Sequence, residues 1–111
     1  LLRWVSNALE IKVPTALSSD FRVERSSTGR LIDLVKAVGG TTYVSGLGGQ
    51  NYMDISMFAD EGLQLEYLSF NNPQYVNHHG ELVRGLSVVD SLINNPERCR
   101  DFIHDFSITK P

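Results

Sequence analysis

The stretch Thr41-Thr42-Tyr43-Val44-Ser45-Gly46-Leu47-Gly48-Gly49 decides the fold. Residues 41–45 carry no charge and are mostly β-branched or aromatic, so they read as a buried strand, and the glycines that follow read as a loop. Just before it, Leu31, Leu34, Val35 and Val38 fall at i, i+3, i+4 and i+7. That spacing makes one apolar face of a helix, which Gly39-Gly40 stops. Just after it, Asp54 can cap a short helix with Ile55, Phe58 and Ala59 on one face and Gly62 at its end. Leu63, Leu65 and Tyr67 then alternate with Gln64, Glu66 and Leu68, the period of a strand.

Working outward, Ile11-Lys12-Val13-Pro14-Thr15-Ala16-Leu17 suits a strand that Pro14 confines to an edge or to its own start. Residues 18–28 are polar and serine-rich, a loop that ends in a helix N-cap. Leu1, Leu2, Val5 and Leu9 recur at helical spacing, the last turns of a buried helix. Beyond the turn Asn71-Asn72-Pro73, residues 74–86 read as irregular or weakly extended. Ser87-Val88-Val89-Asp90 has the spacing of a capping box, with Val89, Leu92 and Ile93 inward on the helix it starts. A last helix restarts at Asn95-Pro96 with Cys99, Phe102, Ile103 and Phe106 on its buried face. The expected fold is α/β: a small parallel sheet of about three strands in βαβαβ order, joined by right-handed crossovers, with a leading helix and a C-terminal helical tail. It forms a single segment over residues 1–111.

A length of 111 residues supports one small core. The net charge of -3 lacks the electrostatic footprint of a nucleic-acid binder, and no nucleic-acid partner is expected. The charge is uneven: residues 1–50 hold six basic and four acidic groups, residues 51–111 four and nine, so an anion is better placed on the first half. One cysteine excludes an internal disulfide framework, which fits a cytoplasmic location. No apolar run is long enough for a membrane span. The chain begins inside an apolar pattern, and we expect a piece of something longer.

In a parallel sheet the loops after the strands emerge at one edge, where helix N-termini present unpaired N–H groups to ligands. Three segments would meet there. Residues 18–28 bring Arg22 and Arg25, residues 45–54 bring Ser45, Gly46, Gly48, Gly49 and Tyr52, and residues 71–86 bring Tyr75, His78, His79 and Glu81. The glycines would let backbone N–H groups turn toward an anion as a nest, and the arginines would add charge-assisted bonds. Each has a plainer reading as well. The glycine loop lacks the third glycine of a dinucleotide fingerprint, since position 51 is Asn, and no Lys-Ser/Thr makes it a Walker loop. Arg22 and Arg25 are equally well solvated loop charges, and capping alone explains Ser87 and Asp90. Cys99 reads as a structural thiol. Adjacent His78 and His79 point to opposite sides of an extended segment and do not chelate one ion, so no metal and no cofactor is expected. His79 is the candidate general base, its charge being able to change near neutral pH.

The segment Thr42-Tyr43-Val44-Ser45-Gly46-Leu47-Gly48-Gly49-Gln50-Asn51-Tyr52-Met53-Asp54 resembles the WbqC-like protein family of bacterial polysaccharide gene clusters. Gly62-Leu63-Gln64-Leu65-Glu66-Tyr67, Pro73-Gln74-Tyr75 and Leu86-Ser87-Val88-Val89-Asp90-Ser91-Leu92-Ile93-Asn94 match it further, so the likeness covers most of residues 28–95. The chain departs from the family where Asn95-Pro96 replaces an asparagine-glycine step and where Val76-Asn77 follow Tyr75. The resemblance implies the C-terminal part of a longer protein, and an enzyme of O-antigen or other cell-surface polysaccharide assembly. A glycine (aminoacyl) transferase acting on a nucleotide-linked amino sugar is the activity implied; the alternative is a non-catalytic module binding a nucleotide-sugar, another anionic small molecule or a pathway partner. Under the transferase reading Gly48, Gly49 and Arg25 hold the anion, Ser45 and Tyr52 orient the sugar, and His79 takes the proton.

The Leu2, Val5 and Leu9 face, left uncovered, is expected to drive self-association into a homo-oligomer. Light scattering over a wide concentration range checks this: a mass above one chain is expected, and a single-chain mass throughout counts against it.

Overall fold

The computed structural model describes residues 1–76, 80 and 83–111, which fall into two compact units. One comprises residues 15–69 and 107–111, the other residues 1–14 and 70–106. His78, His79 and Glu81, candidates by sequence, lie outside the described residues.

In the first unit, Ser26 with extended backbone precedes helix α2 (Ser27–Ala37), and Gly39 at φ +71 turns the chain out of it. Helix α1 (Leu2–Ala8) belongs to the other unit. Strand β1 (Thr42–Gly46) follows, then a 3-10 turn over Leu47–Asn51, helix α3 (Ser56–Asp60) and strand β2 (Gln64–Phe70). Asp54 starts α3 as expected, its Oδ1 accepting from Ser56 N at 3.1 Å and from Ser56 Oγ at 2.7 Å. Gly62 at φ +73 ends it. β1 and β2 pair in parallel, Thr42 opposite Gln64 and Gly46 opposite Leu68, so the glycine turn and α3 form the crossover the sequence called for.

The core of this unit is Ile32, Met53, Phe58, Leu65 and Tyr67, with Leu31, Tyr43, Met57 and Leu63 packed against it. Tyr43 stacks on Phe58 with ring centroids 5.5 Å apart. α2 is turned partly from its expected face, with Val35 buried and Leu31 against the core as the spacing predicts. Thr28, Ile32 and Val35, at i, i+4 and i+7, are the buried line, and Val38 is 62 % exposed because the helix ends before it. The alternation in β2 holds, with Leu65 and Tyr67 buried.

Three strands form the sheet, in the order β1-β2-β3, but the third is not the one expected. Residues 11–17 form no strand and are exposed, so the leading strand of the βαβαβ reading is absent. Instead β3 (Phe106–Thr109) lies beside β2. Asn71 N, just past β2, donates to the Asp105 carbonyl, just before β3, at 3.0 Å. The end of one strand thus meets the start of the other, the arrangement of an antiparallel neighbour. The helical tail expected through Phe106 ends at Ile103, and Phe106 is exposed.

In the second unit α1 has no buried residue, although its apolar spacing predicts a buried helix; Leu9 just after it is the buried one, while Leu1, Leu2 and Trp4 are exposed. Helix α4 (Val88–Asn94) starts on Ser87, whose Oγ accepts from Val89 N at 3.2 Å. Its buried residue is Ser91, and Ile93 is 63 % exposed, again a face turned from the expected one. Helix α5 (Cys99–Ile103) buries Cys99 and Phe102 as the spacing required. No helix among the described residues is long and apolar enough to cross a membrane.

Gly49 is fixed by close approach. A Cβ there would stand 2.2 Å from Ser45 Oγ and 2.7 Å from Met53 Cε. Gly49→Ala is therefore expected to lower stability by about 1–3 kcal/mol in urea unfolding, as overpacking does. Adding Ser45→Ala removes the tightest contact and is expected to restore part of the loss.

Candidate functional site

The carboxyl end of β1 is where a ligand would be met in the first unit, and a tie between two segments builds it. Asp54 N donates to Thr28 Oγ1 at 3.0 Å, which joins the segment after the glycine turn to the first turn of α2. Glu24, Arg25, Ser26, Ser27, Thr28, Gly29, Tyr52, Asp54 and Met57 line the groove that results. Ser26 gives α2 no side-chain cap, and the N–H groups of Ser27, Thr28 and Gly29 have no acceptor among the described residues. The end of α2 is thus an uncapped cluster of donors at the positive end of an 11-residue helix. Ser27 holds this turn at φ +50, a left-handed conformation that a side chain disfavours. Tyr52, 67 % exposed, forms another wall.

Arg25 lines this groove, but its charge is matched inside the protein. Its Nε donates to Asp33 Oδ1 and Oδ2 at 3.1 and 3.0 Å, its Nη2 to Asp33 Oδ1, and its Nη1 to Glu61 Oε1 at 2.8 Å. Lys36 Nζ donates to the other Glu61 oxygen at 2.5 Å. The stem of Arg25 lies over Gly29, where a Cβ would stand 3.1 Å from both Arg25 Cβ and Cδ. Hydrogen bonding to Asp33, then to Glu61, raises the Arg25 pKa further. The guanidinium holds the Asp33 carboxyl below its usual value, and Lys36 followed by Arg25 does the same for Glu61. Sequence reading missed this network because its members are spread over 36 positions, and only the fold brings Glu61 to Arg25.

The other expected ligand residues are distributed as follows. Ser45 is buried, donates to the Gly46 carbonyl at 3.0 Å and packs beneath Gly49. None of Gly46, Gly48 and Gly49 has positive φ, so the turn does not form a nest, which needs left-handed residues; it is a 3-10 turn instead. Gly46 and Gly48 are exposed with no close neighbour where a Cβ would point. Arg22 is exposed beside Arg25 in a shallow groove with Asp33 and Lys36.

Tyr75 belongs to the second unit. Its hydroxyl donates to Asp90 Oδ2 at 2.6 Å, and its ring stacks on Phe102 with centroids 5.7 Å apart. Asp90 therefore serves Tyr75 rather than closing a capping box. Desolvation, and then the Asp90 carboxylate, push the phenol up to about 12. The Ser91 hydroxyl draws it back, yet is itself enclosed with no partner at hydrogen-bond geometry among the described residues. Tyr75, Ser87, Ser91, Cys99 and Phe102 line one small cavity there. Among the described residues no group of three or more His, Cys, Asp or Glu could hold a metal ion.

The lowered carboxyls give the Arg25 network a pH signature. Against ordinary values of 3.8 for Asp33 and 4.5 for Glu61, the stabilisation is complete above that range and is lost as pH falls through the lowered folded-state values. Urea midpoints measured from pH 6 downward are expected to fall more steeply below about pH 4 in the native chain than in Arg25→Ala. Parallel curves would show that the network contributes nothing. Tyr75 gives the opposite sign: its contribution is present below pH 10 and is lost toward about 12. The last tyrosinate to appear in an absorbance titration is expected to be missing in Tyr75→Phe.

A family model described as the WbqC-like protein family matches residues 1–101. No curated protein and no solved structure matches the chain.

Proposed function

Because the chain belongs to the WbqC-like protein family, which is associated with polysaccharide and O-antigen biosynthesis, we propose that it binds a nucleotide-linked amino sugar in that process and serves the transfer of an aminoacyl group, such as glycyl, to it. The observation that carries this reading is the uncapped first turn of α2 beside exposed Tyr52. Three unpaired N–H groups and a helix dipole suit the phosphates of such a donor or acceptor, and the tyrosine ring offers a face to its base or sugar. Ser26 and Ser27, both exposed, add hydroxyls at the same rim.

In this reading the anion meets backbone at α2 rather than the glycine turn, and Arg25 acts by shaping the groove, since its donors are held by Asp33 and Glu61. Acyl transfer to an amine further requires a base to take the amine proton and donors for the developing oxyanion. His79 is the proposed base. The second reading, a binding module without turnover, is supported by the titratable groups of the groove, Glu24, Arg25, Tyr52 and Asp54: Arg25 and Asp54 are engaged within the protein, and none of the four forms a nucleophile–base pair among the described residues.

Calorimetric titration with a UDP-linked amino sugar tests the site. Binding is expected, with Tyr52→Ala weakening it about tenfold. Ser26→Asp supplies a capping carboxylate to the same N–H groups, so it is expected to raise stability by about 0.5–1 kcal/mol while abolishing binding. If Ser26→Asp binds as the native chain does, the α2 site is wrong. Mass spectrometry of the sugar incubated with an activated glycyl donor separates transferase from binding module.

A further inference from the structure

At one cleft of the second unit stand two arginines whose charges no carboxylate of the described residues pairs. Arg100 pairs with Glu10, and Asp90 accepts from Tyr75. Arg84 and Arg98 are exposed and make no ion pair among the described residues. Both line one open cleft, together with Asn72, Gln74, Asp101 and Asp105. The Arg98 guanidinium lies 5.0 Å from the centroid of the Phe102 ring. That stacking orders the group from one face and leaves its in-plane N–H fork free to bind an oxyanion by paired hydrogen bonds.

The acids in the same cleft narrow the ligand. Asp105 Oδ1 accepts from Asn71 Nδ2 at 2.8 Å and is partly satisfied, whereas the Asp101 side chain has no partner among the described residues. A bare phosphate would face these carboxylates at a cost, but a ligand that turns hydroxyls toward them would donate into their lone pairs. Asn72 and Gln74 add amide donors and acceptors of the kind that read hydroxyl groups.

From this arrangement we infer that the Arg84–Arg98 cleft binds a phosphorylated polyol: the phosphate on the two guanidiniums, the hydroxyls toward Asp101 and the amides. It lies in a different unit from the α2 groove and does not rest on the function proposed for that groove.

Titration calorimetry of the whole chain with glucose 1-phosphate, inorganic phosphate and glucose, each alone, decides the matter. The sugar phosphate is expected to bind more tightly than inorganic phosphate, and glucose not to bind measurably. Arg84→Ala and Arg98→Ala are each expected to weaken it about tenfold or more, the loss of a charge-assisted hydrogen bond. Arg98→Lys is expected to retain part of the affinity. Asp101→Ala is expected to narrow the preference for glucose 1-phosphate over inorganic phosphate. Tyr52→Ala in the other unit is expected to leave all of these unchanged, which separates this cleft from the α2 groove. No saturable binding of the sugar phosphate, or equal binding by the native chain and both alanine variants, overturns the proposal. So does a preference unaltered by Asp101→Ala. Circular dichroism of each variant confirms that these exposed substitutions leave the fold intact.

Discussion

Parallel pairing of β1 with β2 is the constraint from which the rest of the first unit follows. Two parallel neighbours cannot be joined by a hairpin, so the chain must return across the sheet between them, and the 3-10 turn and α3 are that return. The return carries Phe58 into the core against Tyr43 and puts Glu61 within reach of Arg25 and Lys36. It also aligns Asp54 with Thr28, which sets the uncapped end of α2 at the mouth of a groove. Two of these ties reach α2 from the segment that leads from β1 to β2.

Local pattern gave most of this away, and its failures have physical causes. The strands 42–46 and 64–70, the cap at Asp54 and the stop at Gly62 were legible because each depends on neighbours in sequence. On α2 the apolar spacing rightly marks Val35 and Leu31 but also favours Leu34 and Val38, whereas the helix buries Thr28 and Gly29, which carry no hydrophobic signal. α4 went wrong in the same way through Ser91. Residues 11–17 have strand-like composition but make no ladder, and composition cannot supply a partner strand. Phe106 continues the helical spacing of Cys99 and Phe102, yet β2 offered it a free edge, and tertiary pairing overrode the local period.

The candidate sites were less legible than the fold, for reasons of charge. An arginine in a loop before a helix announces an anion partner only while its own partners are unknown. Arg25 meets Asp33 eight residues on and Glu61 thirty-six residues on. Gly49 was singled out for the freedom of its backbone, and the structure uses its missing side chain instead, to let the turn close on Ser45. Tyr75 was singled out for a ligand and is found donating to Asp90, a pair that the capping reading of Asp90 had concealed.

The enclosure of Cys99 has a consequence for observing the molecule. The chain holds one thiol and one tryptophan, Trp4, and both belong to the second unit. The thiol is 0 % exposed, on a helix of five residues, while Trp4 stands largely in solvent. A reagent that alkylates thiols can reach Cys99 only through an opening of α5, so its labelling rate in native buffer counts the openings of that unit directly. The indole, already wet, is blind to the same events. The chain thus carries a built-in clock for the half of the molecule that holds the Arg84–Arg98 cleft, and slower labelling on adding a ligand would time how firmly that ligand holds the unit closed.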